Sequence, residues 1–230
     1  MKIGEARVSF PRLPGVAADV DSVAALLHSA GAQVTKLIQP EDTSAADISY
    51  EILTRVDALQ AGETLLVYFS GHGYRVKDTT SPTGYREMLV CADHPVEDEF
   101  TRRLRDRLQE GRRLIFIVDA CHAGGFVRGL TTPTLAPTFI LPRTGSSIIW
   151  WSAALDEQRA FQTKKKKLVY SAFTFSLLQA WDYTPNVSYK DLWQGVWNAF
   201  GSNFGNLSQT PALWLEADDA TFLDDPAFKA

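Results

Sequence analysis

The sequence predicts an α/β domain built on a mostly parallel sheet with helices on both faces. Two nearly unbroken apolar runs of strand length, 64–70 (TLLVYFS) and 113–118 (RLIFIV), have the character of parallel strands buried on both sides. Segments with apolar residues at helical spacing alternate with such strands along the chain. The chain has 230 residues, 45% of them hydrophobic and 22% charged, enough to bury a core without a disulfide or metal staple.

Residues 3–9 read as a short first strand, and Pro11, Pro14 and Gly15 mark a loop. Val16, Val20, Val23, Ala24 and Leu27 recur at helical spacing, and Gly31 stops that helix. Residues 33–38 read as a second strand, ended by Pro40. Thr43 or Ser44 caps a helix running to about residue 60. After strand 64–70 come a polar loop over 74–86, a short strand over 88–91 and a surface helix over 97–109. Strand 113–118 follows. Residues 127–145, rich in proline, glycine and threonine, read as a surface loop. Residues 147–151 (SIIWW) are a further strand, with Trp150 and Trp151 divided between core and surface by strand alternation. A polar stretch holding Lys164–Lys167 leads into helices near 171–181 and 189–200, and 212–215 is the last strand.

Composition excludes several function classes. Lys+Arg 23 against Asp+Glu 27 gives a net charge of −4 and a pI near 5.6, which argues against a nucleic-acid coat or an anionic-membrane binder. No run of about 18 apolar residues is present, so no bilayer-spanning segment is expected. The N-terminal MKIGEARVSF lacks the apolar region of a signal peptide. The two cysteines, Cys91 and Cys121, form neither a disulfide framework nor a CxxC metal motif, and a reducing cytoplasm is the expected setting. In that setting the patterns at Asn186 and Asn206 are no glycosylation sites, and Cys91 reads as core.

In open α/β sheets the functional site lies beyond the carboxyl ends of the strands. Two strands deliver a reactive side chain there among glycines: Ser70-Gly71-His72-Gly73, and Asp119-Ala120-Cys121-His122-Ala123-Gly124-Gly125. A thiol is a strong nucleophile only as thiolate, and a neighbouring imidazole can take its proton and later hand it to a leaving amine. His72 and Cys121 meet if their strands are neighbours. Glycines beside both admit a substrate backbone closely, and the N–H groups of Gly73 and Cys121 are candidate oxyanion donors. His122 is a rival base; consecutive side chains at a strand end point to opposite sides, which favours His72.

These two motifs resemble the paired catalytic motifs of the caspase-like cysteine peptidases, the second being most similar to metacaspases and their prokaryotic relatives. The resemblance extends to Leu13-Pro14-Gly15-Val16-Ala17-Ala18-Asp19-Val20 and to Phe173-Thr174-Phe175-Ser176-Leu177-Leu178, and so covers nearly the whole chain. It implies a three-layer α/β/α sandwich with a mostly parallel six-stranded sheet in one peptidase domain over 1–230. Residues 1–127 would form the large-subunit-like half, 128–145 a loop, and 146–230 the small-subunit-like half. It implies His72 as general base and acid, Cys121 as nucleophile and Gly73 as an oxyanion donor.

The resemblance also implies a substrate pocket at Asp19, Ser70 and Asp119. Asp119 would repel a substrate carboxylate and pair with a guanidinium, so cleavage after Arg, and after Lys less well, is expected. Several metacaspases hold calcium on carboxylates. The matching positions here are Asp93, Glu97 and Asp98, but a further acidic position falls on Arg128, and no metal or other cofactor is expected. Protein or peptide substrates are expected, with room for an activating partner protein and no role for nucleic acid or membrane. Prokaryotic relatives suggest cell-death or defence signalling. Lys164–Lys167, Arg128 and Arg143 are candidate self-processing sites. The alternative is a catalytically silent caspase-like scaffold or sensor.

Overall fold

The computed structural model describes residues 2–3, 6–81, 84–126, 138–141, 143, 145–165, 168–183 and 187–228. Strands β1 (Lys2–Ile3) and β2 (Ala6–Arg7) pair with each other. Helices α1 (Val16–Ser29) and α2 (Ala45–Ala58) follow. Gly31 closes α1 at φ +92°, a left-handed conformation that glycine adopts without strain. The Ser44 hydroxyl accepts the Asp47 N–H at 3.0 Å and caps α2.

The main sheet is built from β3 (Thr64–Ser70), β7 (Arg113–Asp119), β9 (Ser147–Ser152), β12 (Ala212–Glu216) and β8 (Thr138–Leu141), in that spatial order. β3, β7 and β9 run parallel; β12 is antiparallel to β9 and parallel to β8. Along the chain, β3 and β7 are separated by a three-stranded antiparallel sheet of β4 (Gly73–Lys77), β5 (Tyr85–Val90) and β6 (Pro95–Glu97), followed by α3 (Glu99–Arg107). The one-turn helix α4 (Ala123–Phe126) follows β7. A hairpin of β10 (Gln162–Lys165) and β11 (Leu168–Ser171) leads into α5 (Ala172–Tyr183) and α6 (Tyr189–Phe204).

Side-chain alternation on the central strands builds the two cores. Ile115, Ile117, Ile149 and Trp151 pack with Val23 of α1, Phe173 and Leu177 of α5 and Trp193 of α6. Leu114, Phe116, Val118, Ile148 and Trp150 face the other way, onto Ile52 and Val56 of α2 and Leu104 of α3. The result is an α/β/α sandwich. Trp150 and Trp151 are both fully buried, one in each core, so neither is at the surface. No helix among the described residues is long and apolar enough to cross a membrane.

The main sheet has five strands among the described residues where six were expected. Residues 33–38 form no strand: Val34 and Ile38 are exposed, and Thr35 and Lys36 are tied instead to Arg55 of α2 and Asp21 of α1. The expected first strand is reduced to the β1–β2 pair. The region read as a loop over 74–86 carries β4 and the start of β5, and β8 emerges from the stretch read as loop over 127–145.

Helix α3 is fastened to the sheet by charge. Arg105 makes a bidentate pair with Glu216 of β12, whose carboxylate is 7% exposed and also accepts the Trp150 indole N–H at 2.7 Å. Removing one partner of a buried pair leaves an uncompensated charge. Arg105→Met is therefore expected to lower the unfolding free energy by about 3 kcal/mol in urea titrations; an unchanged midpoint would show that Glu216 needs no counter-charge.

Candidate active site

The β3–β7 register brings the two motifs together. The strands are parallel, with Val67 opposite Phe116 and Ser70 opposite Asp119, and the Gly71 N–H extends the ladder to the Asp119 carbonyl at 3.1 Å. Parallel strands release their chains at the same sheet edge. His72, two residues past Ser70, and Cys121, two past Asp119, thus emerge side by side. Gly73 lies so close to the Cys121 carbonyl that a Cβ there would overlap its oxygen, so no other residue fits.

His72 and Cys121 are each partly accessible. The His72 Nε2 lies 2.6 Å from the Pro11 carbonyl. A carbonyl only accepts, so Nε2 carries the hydrogen and Nδ1 is the basic nitrogen of the neutral ring. Phe10 packs on the same imidazole with ring centroids 5.1 Å apart. The sequence identifies no third residue that orients His72 and leaves the role open to a backbone carbonyl; which carbonyl it is leaves no trace in residue type. The Val90 N–H donates to the His72 carbonyl at 2.9 Å, which makes Gly73 and Leu89 a non-hydrogen-bonded pair and turns the Gly73 N–H away from β5. The Cys121 sulfur accepts the Ala160 N–H at 3.3 Å.

His122 is committed elsewhere. Its backbone is left-handed (φ +58°), its N–H donates to the Gln158 carbonyl, and its Nδ1 lies 2.7 Å from the Asp156 carbonyl. Burial, first of all, pushes its pKa down. The side chain is turned into the 155–160 loop.

Asp19, Ser70 and Asp119 do converge. Both carboxylates are buried, Asp19 fully, and the Ser171 hydroxyl lies 2.9 Å from Asp19 Oδ2 and 2.5 Å from Asp119 Oδ2. Ser70 donates to Asp19, as does the Ser171 N–H. Thr174 gives both its N–H and its hydroxyl to Asp119, so the first turn of α5 turns its free donors and positive dipole end toward the acids. Asp119 Oδ2 is thereby saturated, while the buried Oδ1 has no hydrogen-bond partner among the described residues. Desolvation, then the Asp119 charge, pushes the Asp19 pKa up to about 7. Desolvation likewise raises that of Asp119. The Tyr68 hydroxyl extends the network by hydrogen bonding with Thr174 Oγ1 at 2.6 Å. Ser171, Thr174 and Tyr68 were not singled out in the sequence; the hydroxyls at the start of a predicted helix were the one available signal.

The carboxylates matched to a calcium site do not fit a common cage. Asp93 accepts the Ala45 N–H at 2.8 Å, Glu97 pairs with Arg86, and Asp98 is fully buried; Arg128 is outside the described residues. Among the described residues no group of three metal-ligating side chains comes together. Of the candidate processing sites, Arg143 is anchored to Ser146 and to the Arg105 and Leu108 carbonyls, and Lys164 is paired in β10. Lys166 and Lys167, like Arg128, lie outside the described residues.

Comparison with known proteins agrees with this fold. The family described as Caspase domain (Peptidase_C14) matches residues 5–221. Metacaspase-8 of Arabidopsis thaliana is 32% identical over 96 residues, 40% of this chain and 24% of its own length. Metacaspase-1A of Neurospora crassa is 36% identical over 76 residues, 30% of this chain and 17% of its own. The chain thus spans about a quarter or less of these curated relatives. Among solved structures, the Geobacter sulfurreducens protein GSU0716 superposes over 95% of this chain and 90% of its own, with a TM-score of 0.72 at 22% identity. Pro-sf-caspase-1 does so over 96% and 85%, with a TM-score of 0.58 at 14% identity. Both share the fold.

The buried acids carry a stability signature. The folded Asp19 carboxyl keeps its proton up to about pH 7, whereas the unfolded one releases it near 3.8. Its contribution is therefore fully present below about pH 4 and is lost as pH rises through 7. The fall in urea midpoint between pH 5 and pH 8 is expected to shrink in Asp19→Asn; parallel curves for variant and wild type would contradict the assignment.

Proposed function

The chain belongs to the caspase-domain family, and on that premise we propose that it is a cysteine endopeptidase that cleaves peptide bonds after arginine, and after lysine less well. The observation that carries this reading is the buried acid pair Asp19–Asp119, in which Asp119, two residues before Cys121, has a buried oxygen, Oδ1, without a hydrogen-bond partner among the described residues. A guanidinium offers five donors in a planar fork and can neutralise both carboxylates while reaching that oxygen. A substrate carboxylate would face like charge in a dry site. Lysine brings one point charge, and hence the weaker preference.

The chemistry follows from the neighbours. His72 Nδ1 takes the Cys121 thiol proton as the sulfur attacks the scissile carbonyl carbon. The oxyanion that forms is met by the N–H groups of Gly73 and Cys121, an arrangement worth about 3 kcal/mol per donor in the transition state. As the tetrahedral intermediate collapses, the imidazolium gives its proton to the leaving amine and a thioester remains on Cys121. Water, deprotonated by the same Nδ1, attacks the thioester; the thiolate leaves and is reprotonated. Throughout, the Pro11 carbonyl holds the ring by Nε2–H and stabilises its cationic form.

The test compares peptides that differ only in Arg or Asp before the scissile bond. Arg is expected to win by at least about 100-fold in kcat/KM, and Asp119→Ala to cut the Arg rate by about 100-fold, as loss of one partner of a buried charge pair does. His72→Ala and Cys121→Ala are each expected to abolish turnover. A preference for Asp would defeat the pocket assignment. Turnover surviving in Cys121→Ala would defeat the mechanism, and an inert wild type would leave a silent scaffold.

A further inference from the structure

The first two of the four consecutive lysines, Lys164 and Lys165, lie on β10, a strand rooted at the candidate active site. Ala160 touches the Cys121 sulfur through its N–H, and β10 begins two residues later. At the other end of the hairpin, Ser171 bridges Asp19 and Asp119. One foot of the hairpin is thus at the sulfur and the other is in the floor of the acidic pocket. β10 is paired along one edge with β11, Gln162 opposite Ser171 and Lys164 opposite Val169. Among the described residues no strand pairs with its other edge.

Gln162 points toward the loop that holds His72: its Nε2 would lie 2.7 Å from a Cβ on Gly15. Lys164, two residues further along the strand, shares that face. It is exposed, and no ion pair involves it among the described residues. Between Gln158 and Ser171 the sequence holds Arg159 and Lys164–Lys167 and no acidic residue, in a chain whose net charge is −4. Of these cations, Lys164 stands exposed on β10, the strand that begins two residues past Ala160.

With a basic side chain at the acids that Ser171 bridges, the unpaired edge of β10 is the adjacent backbone against which the acyl half of a peptide can lie. At about 3.3 Å per residue, Lys164 stands about 13 Å along the strand from Ala160, four residues on, and the lysine stem reaches about one residue either way. We propose that this hairpin selects substrates with an acidic side chain three to five residues ahead of the scissile bond, so that the preferred segment reads acid, short spacer, arginine. The inference rests on the peptidase reading above, but the two can be separated by experiment.

Cys121→Ala protein, unable to form the thioester, is titrated with fluorescein-labelled peptides by anisotropy. The peptides combine Arg or Ala before the scissile bond with Glu, Ala or Lys at the fourth residue before it. At about 50 mM ionic strength, Glu is expected to tighten Kd by about threefold to tenfold over Ala and Lys to weaken it, with the spread closing at about 0.5 M salt. Replacing Lys164–Lys167 by glutamates is expected to invert the order, and Lys164→Glu alone to narrow it. Equal Kd values for the Glu and Lys peptides, or a spread that ignores both the salt and the charge reversal, would overturn the proposal. An Arg effect without a Glu effect would overturn it while the basic-residue pocket stands. A Glu effect without an Arg effect would uphold the preference of β10 for an acidic side chain and overturn both the arginine in the preferred segment and the pocket assignment.

Discussion

Everything at the candidate site depends on one backbone constraint, the parallel pairing of β3 with β7 in the register that sets Ser70 opposite Asp119. Parallel pairing puts both carboxyl ends at one sheet edge, and the register lets His72 and Cys121 leave that edge level with one another. A slip of one residue would send every side chain of β3 to the other face and break both cores at once. Leu66 and Tyr68 would leave the α1 side, and Leu65, Val67 and Phe69 would leave the α2 side. Core packing therefore enforces the alignment of the two reactive groups, with no direct interaction between them needed to hold it.

The second constraint is electrostatic. Two carboxylates are buried beside each other, which costs stability unless a proton or a cation intervenes. The fold offsets part of this with Ser70, Ser171, Thr174 and the N-terminal turn of α5, and the raised Asp19 pKa shows that the compensation is partial. Under the proposed function such a site is poised for exchange: a guanidinium entering it would displace the proton and pair with both carboxylates. Burying such a pair makes little sense for packing alone, because apolar residues of similar volume would fill the space at lower cost.

Much of this was legible in the sequence, for identifiable reasons. The runs at 64–70 and 113–118 are apolar on both faces, and that pattern has few readings other than a parallel strand covered on both sides; 113–118 is central, while 64–70 is the end strand of the main sheet among the described residues. The glycines around His72 and Cys121 read as room for a substrate backbone; Gly73 is in fact required by the chain's own Cys121 carbonyl, which lies against it. What escaped was of two kinds. Backbone groups such as the Pro11 carbonyl have no residue signature. Long-range partners have no local one: Ser171 reaches Asp19 across 152 positions, and nothing near either announces the contact. β4 was missed because Arg75 and Lys77 gave its strand a polar look; Arg75 lies over the Tyr85 ring and Lys77 is exposed, so the strand is amphipathic rather than a loop. The opposite error was made at 33–38, where apolar residues at Val34 and Ile38 suggested a strand that the structure leaves exposed.

The account stands or falls on whether the imidazole at 72 acts on the sulfur at 121. Site-resolved alkylation by iodoacetamide at pH 7, read by peptide mass spectrometry, measures this directly. Cys91 is the internal reference, buried and with its thiol pushed up to about 11. Cys121 is expected to react far faster than Cys91 in the wild type and to slow by about tenfold or more in His72→Ala, while Cys91 is unchanged. Equal Cys121 rates in wild type and His72→Ala would contradict the pairing on which the whole reading rests.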